Sequence, residues 1–161
     1  MPIDQNQLRK VMRQWSSGVC VVSTQFQEIS HGMTVSSFTS VSLDPHLVAI
    51  SLMKNSRTHD FVIDAGNFGI TILSSAQKKI SEIFAGQIPD YENRFEGLEI
   101  WTMTTGAPLL KGGLAYLDCK LTTVYDYGTN SLVIGEVLDA KVGDGGMPLL
   151  YFNQRYHQLQ E

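Results

Sequence analysis

The 161-residue chain is poor in charge: Asp, Glu, Lys and Arg make up 17% of it, against about 25% in an ordinary soluble domain. Cations are the scarcer kind, 12 Lys and Arg against 16 Asp and Glu, for a net charge of −4. That balance excludes a nucleic-acid binder held by a basic face, which needs clustered cations to displace counterions. A chain short of charge either carries an unusually neutral surface or hides part of its surface in an oligomer, because interface cores are depleted in charge. Cysteine is nearly absent. Cys20 and Cys119 stand far apart in apolar runs, without Cys-x-x-Cys or a Cys/His spacing suited to zinc, so buried reduced thiols and no metal are expected. No run reaches the roughly 18 apolar residues of a membrane-spanning helix. The first seven residues are polar and lack the basic-then-apolar order of a secretory signal. A cytoplasmic protein without membrane contact is expected. The familiar catalytic motifs are missing as well: there is no Gly-x-Ser-x-Gly, no His-Glu-x-x-His and no Gly-rich phosphate loop. His31, His46, His59 and His157 are scattered. An enzyme without its own acid, base or nucleophile takes its chemistry from a cofactor.

What is present suits one domain spanning residues 1–161, with 43% apolar residues, too hydrophobic to be disordered. Ile3, Asp4, Gln7 and Leu8 read as the N-terminus of a helix with a variant capping box and a hydrophobic staple. Leu8, Val11, Met12 and Trp15 follow at helical spacing, and Gly18 closes the segment. Short β-branched runs come next at 18–24, 47–52 and 68–73. A pair of strands, 116–125 and 132–138, flanks the hairpin-like break 126–130, and 149–152 is the last strand. Helices are expected at 56–63, and at 74–85 behind a Ser74-x-x-Gln77 capping box with Gly86 at its end. Many strands at turn-punctuated spacing and few helices argue for a mainly β fold, a small barrel with helical decoration.

Three segments could carry chemistry. Residues 34–42 hold six Ser and Thr and no charge. They are either a strand with hydroxyls facing water or a wall of small donors and acceptors against a planar polar ligand. Lys54 to Asp60 follows an apolar strand and opens a helix, so Ser56, Arg57 and Thr58 join a helix N-terminus that suits an anion, phosphate above all. An ordinary capped helix with a solvated Arg is the alternative. Tyr91 to Glu96, with Arg94 and Phe95, reads as a loop held by surface ion pairs.

The stretch Gly32-Met33-Thr34-Val35-Ser36-Ser37-Phe38-Thr39-Ser40-Val41-Ser42-Leu43-Asp44-Pro45 resembles the signature of the short-chain flavin reductases, the reductase components of two-component flavin monooxygenases. The similarity continues in order through 55–59, Arg94-Phe95, 106–108, 135–137 and 148–152. It implies a split β-barrel that binds FMN or FAD, assembled as a homodimer. It implies oxidation of NADH or NADPH by hydride transfer to flavin N5, with reduced flavin passed to a partner oxygenase or other acceptor. It also implies that Thr34, Val35, Ser36, Ser37, Ser40 and Val41 line the isoalloxazine ring, that Ser56, Arg57 and Thr58 take the flavin phosphate, and that Arg94 lies nearby. Two positions depart from the family. His46 stands where a second proline is usual. Thr129 and Asn130 replace an Asp-His pair, and Asn130 is the candidate catalytic residue on the nicotinamide side. Asn donates a hydrogen bond but does not titrate near neutrality. That departure keeps a second reading open, a flavin-binding electron carrier or sensor without direct NAD(P)H turnover. A domain for another planar cofactor, such as haem with His59 or His157 as axial ligand, is a third.

Overall fold

The computed structural model describes residues 2–160. Helix α1 (Gln5–Met12) starts where the cap residue predicts: the Asp4 carboxylate accepts the backbone N–H groups of Asn6 and Gln7. It stops well short of Gly18. Gln14 and Trp15 close tighter turns onto the carbonyls of Val11 and Met12, and the Arg13 carbonyl accepts the Asn153 N–H. No residue of α1 is buried: Leu8, Val11 and Met12 are exposed, and Trp15 beyond it is 73% exposed.

Strands β1 (Ser17–Gly18), β2 (Cys20–Phe26), β3 (Ile29–Val35), β4 (Thr39–Leu43) and β5 (His46–Met53) follow, then helix α2 (Arg57–Ala65) and β6 (Asn67–Ile72). The helix expected at 74–85 is present in three pieces: a 3-10 turn (Ser75–Gln77), α3 (Lys78–Glu82) and a π turn (Ile83–Gln87). The Gln77 side chain accepts the Ser74 N–H as the capping box requires, and Gly86 takes a left-handed φ of 112° at the end. Strands β7 (Ile100–Trp101), β8 (Leu109–Leu110), β9 (Ala115–Tyr127), β10 (Asn130–Val142), β11 (Leu150–Phe152) and β12 (Arg155–His157) complete the chain. Among the described residues no helix is long and apolar enough to cross a membrane.

Seven strands form one antiparallel sheet in the order β3-β2-β6-β9-β10-β5-β4. The edge strands β3 and β4 are consecutive in sequence, with only Ser36, Ser37 and Phe38 between them. A flat seven-strand sheet is about 29 Å wide, whereas that link reaches no more than about 14 Å. The sheet must therefore roll until its two edges nearly meet. β3 pairs with β2 and β4 with β5, and no ladder joins β3 to β4, so the barrel is split along that seam.

Side chains at period two fill the interior: Cys20 and Val22; Val48, Ile50 and Leu52; Phe68 and Ile70; Cys119; Val133; with Val62 of α2 joining them. The alternate residues Val19 and Val21 face a second cluster, with Leu73, Phe84, Phe95, Leu110 and Leu149. Burial pushes the Cys20 and Cys119 thiols up to about 12, so both stay protonated. Gly32 sits where the layers approach: a Cβ there would lie 2.9 Å from the Val22 carbonyl oxygen and 3.1 Å from the Phe84 ring.

Candidate active site

Helix α2 begins where β5 leaves the sheet. The Ser56 N–H and hydroxyl both donate to the Met53 carbonyl, and the hydroxyl oxygen accepts the His59 N–H at 3.2 Å. That cap fixes Arg57 and Thr58 as the first two helical residues, whose N–H groups have no intrahelical acceptor. Gly66, in the left-handed region at φ 68°, ends the helix. The helix start is therefore rigid, locally positive and supplied with free donors.

A cleft of about 430 Å³ opens against it. Thr34 of β3, Ser56, Arg57 and Thr58 of α2, and Arg94 of the loop after the π turn all line it. Arg94 is fastened by its Nε to the Ile88 carbonyl at 2.8 Å and by Nη1 to the Gly32 carbonyl at 3.0 Å. Arg57 donates to the Asp90 carbonyl at 3.0 Å and lies 5.6 Å from the Phe61 ring centre. Among the described residues, no carboxylate pairs with either guanidinium within 4.0 Å. Two positive groups held only by carbonyls, beside a helix N-terminus, make a recess for an anion with several oxygens. These donors fit the phosphate of a flavin nucleotide.

Beside the cleft the sheet presents a polar shelf. The Ser37 hydroxyl donates to the Ser51 carbonyl at 3.1 Å and accepts the Ser51 N–H at 3.0 Å. Asn130, opposite Met53 in the β10–β5 ladder, donates through Nδ2 to the Ser51 hydroxyl at 3.1 Å. Its Oδ1 accepts the Thr129 hydroxyl at 3.0 Å. Ser51 thus joins the two candidate positions Ser37 and Asn130. Ser36 is exposed in the β3–β4 link.

The remaining candidates lie elsewhere. The Val35 side chain is in the barrel core, leaving only its backbone to meet a ligand. Ser40 and Val41 are exposed at a register shift in the β4–β5 pairing, and neither lines the cleft at α2. Phe95 packs edge-on against Phe84 at 4.8 Å, as part of the second core. The loop around Arg94 carries no surface ion pair of that Arg: carbonyls hold it instead.

Sequence reading missed the place of one residue at this site. His31 is buried behind the cleft, with Nδ1 2.9 Å from the Thr58 hydroxyl and Nε2 2.8 Å from the Asp90 carbonyl. Its partners stand 27 and 59 positions away, so no local spacing could reveal it. Elsewhere, His59 has the atoms of a nucleophile–base–acid set: Nε2 lies 2.9 Å from the Ser131 hydroxyl and Nδ1 3.1 Å from Asp60. Ser131 is fully buried and gives its own proton to Asp126, so it is no nucleophile. The set ties the start of α2 to the β9–β10 hairpin. It also engages both nitrogens of His59, leaving neither free as an axial ligand.

The family model for the flavin reductase like domain matches residues 12–160. The chain belongs to this family. It is 32% identical to the reductase component of a 4-hydroxyphenylacetate 3-monooxygenase from Thermus thermophilus, over 94% of each chain. It is 32% identical to the NADH-dependent flavin reductase StyB of Pseudomonas fluorescens, over 96% of this chain and 90% of that one. Among solved structures it resembles the NADH:FAD oxidoreductase SgcE6 of Streptomyces globisporus, with a TM-score of 0.92 and 31% identity over 100% of this chain and 96% of that one. The rolled sheet is the split barrel of the flavin reductases.

The guanidinium geometry gives a direct test. Arg94→Lys keeps the charge but cannot span the carbonyls of Ile88 and Gly32. It should cost about 1.5–3 kcal/mol of stability, read from urea denaturation. An unchanged midpoint would remove Arg94 as the fastening of this loop.

Proposed function

We propose that this chain is an NAD(P)H-dependent flavin reductase that takes FMN or FAD with its phosphate at the start of α2 and its ring along the shelf from Thr34 to Ser37, and hands reduced flavin to a partner monooxygenase. The observation that carries this reading is the cleft itself: two guanidiniums without carboxylate partners and a helix N-terminus converge beside a polar sheet face. The names of the relatives point the same way.

A flavin held there would supply the redox chemistry, the uptake of a hydride given by the nicotinamide. The chain's own residues bind and orient. Arg57 has donors left over after its single bond to Asp90, and with the Arg57 and Thr58 N–H groups it holds the phosphate. Ser37 and Ser51, locked to each other, keep the shelf from shifting under the ring. Asn130 acts as a positioning residue: both ends of its amide are engaged, by Ser51 and Thr129, and it carries no titratable proton. Proton delivery by a protein group at this position is therefore not part of the reading. Orientation of this kind lowers barriers by about 7–11 kcal/mol at its ideal limit.

A homodimer belongs to the same reading. Exposed apolar residues recur on α1 (Val11, Met12), at Trp15, and at the β4 and β10 ends (Leu43, Leu138, Val142). A groove of about 530 Å³ runs between β4, β5 and β10, lined by Leu43, Leu47 and Leu138. A second copy buries this apolar surface, with Asp139 the one carboxylate in the groove lining, which agrees with the low charge of the chain. Light scattering should give twice the 17.9 kDa chain mass; a particle of 17.9 kDa would refute the dimer.

The activity test is anaerobic. Protein, FMN and NADH or NADPH are mixed and the flavin band is followed. Bleaching that requires the protein is expected. Flavin that binds and is not bleached by either nucleotide would make the chain an electron carrier. Arg57→Ala should weaken FMN by about 1.5–3 kcal/mol, roughly ten- to a hundred-fold, with riboflavin unaffected. An equal loss for both flavins would move the phosphate away from Arg57.

A further inference from the structure

We propose that the chain selects FMN over FAD, and that Glu28, Asp90 and Glu92 are the residues that select. The inference deepens the flavin reading and rests on it. Strand β3 and the link after it pass three features in order. Ser30 and His31 line an outer recess of about 510 Å³. His31, Met33 and Thr34 line the cleft at α2. Ser36 and Ser37 follow at the shelf. A strand is extended, so the three features stand in a row. A flavin with its ring on the shelf and its phosphate at the start of α2 therefore points its phosphate end toward the outer recess. In FMN that end is a terminal monoester. In FAD it continues into a second phosphate and an adenosine.

The cleft and the outer recess meet at His31, Arg57 and Asp90, which line both. Arg57 stands at the junction, its guanidinium donating to the Asp90 carbonyl at 3.0 Å. It is the only Lys or Arg that lines the outer recess, where Glu28, Asp90 and Glu92 are the carboxylates. Burial holds the His31 pKa below its ordinary 6.5, against the opposing Asp90 hydrogen bond, so near neutrality the ring adds no charge. Gln27 and Glu28 take left-handed φ values of 48° and 65°, which fixes Glu28 in the tight turn between β2 and β3. Among the described residues none of the three carboxylates has a Lys or Arg nitrogen within 4.0 Å. The recess beyond Arg57 is therefore net negative, and the second phosphate of FAD is directed into it. Charge distribution adds to this. A terminal monoester carries up to two charges and keeps both beside Arg57 and Arg94. Each phosphate of a diphosphate carries one. FAD thus brings the guanidiniums one charge fewer and sets the other before carboxylates, a juxtaposition that suppresses binding of the wrong partner.

The test measures affinities for oxidised FMN, FAD and riboflavin by isothermal titration at about pH 8, where the FMN monoester is ionised. The proteins are the wild type and the double variant Glu28→Gln, Glu92→Gln. Both positions are exposed, and the change keeps size while removing charge. Asp90 stays, because its carbonyl holds Arg57 and His31. FMN should bind the wild type roughly tenfold or more tightly than FAD, the scale of one like-charge contact near a protein surface. The FMN-to-FAD ratio should shrink several-fold in the variant, with riboflavin unchanged, whereas a purely steric barrier to adenosine would leave the ratio as it was. Equal affinities in the wild type, or a ratio that the variant does not move, overturn the inference and leave the flavin reading intact. Tighter binding of FAD also overturns it and would make the outer recess a seat for adenosine. Failure of the wild type to bind any of the three flavins overturns both.

Discussion

A link of three residues governs this fold. Ser36, Ser37 and Phe38 join the two outermost strands of a seven-strand sheet. They cannot reach across it unless the sheet curls on itself. Once it curls, the inner faces of β2, β5, β6 and β10 meet and bury Val22, Ile50, Leu52, Phe68 and Val133. Burial of that apolar surface, at about 25 cal/mol per Å², then holds the closure that the chain connection imposes. The pleat sends successive side chains to opposite faces of each strand, except at the register shifts in the β9–β10 and β4–β5 pairings.

The same closure builds the functional cleft. It brings the β3 edge, with His31 and Thr34, against the start of α2, which follows β5 from the other side of the seam. The Arg94 loop is then drawn onto the Gly32 carbonyl. Gly32 suits this place because a side chain there would strike the Val22 carbonyl and the Phe84 ring. Electrostatics follows from geometry. Carbonyl oxygens orient the two guanidiniums, and among the described residues no carboxylate lies within 4.0 Å of either, although Asp90 lines the same cleft. A carboxylate in the same place would have pinned the arginines equally well and cancelled the attraction for an anion.

Local signals in the sequence suffice for some of this and fail for the rest. Ser56 and Gly66 bracket α2 by their chemistry, one accepting a backbone N–H and the other adopting a left-handed φ, and both are readable without a fold. Ser56, Arg57 and Thr58 are therefore legible as a helix start that suits an anion. The hairpin from β9 to β10 is legible in its turn residues, although both strands extend past the apolar runs because pairing continues beyond them. The family resemblance supplies the barrel, which periodicity alone leaves as one of several β architectures. What stays hidden depends on closure. His31 meets Thr58 and Asp90 only after distant segments converge. Ser40 and Val41 share the hydroxyl-rich texture of Ser36 and Ser37, yet the register shift in β4 sets them on an exposed edge. Leu8, Val11, Met12 and Trp15 recur at helical spacing, yet all four are exposed, and the helix ends before Trp15.

The central claim is that the start of α2 and the shelf around Ser51 form one flavin site. A crystal structure of the protein with FMN tests it most directly. The account predicts phosphate density within hydrogen-bond reach of the Arg57 and Thr58 N–H groups and the Arg57 guanidinium, with the ring lying along Ser37, Ser51 and Asn130. Phosphate density beside Arg9 and Arg13, at the far end of the recess of about 620 Å³ that Ser36 and Ser37 also line, would contradict it.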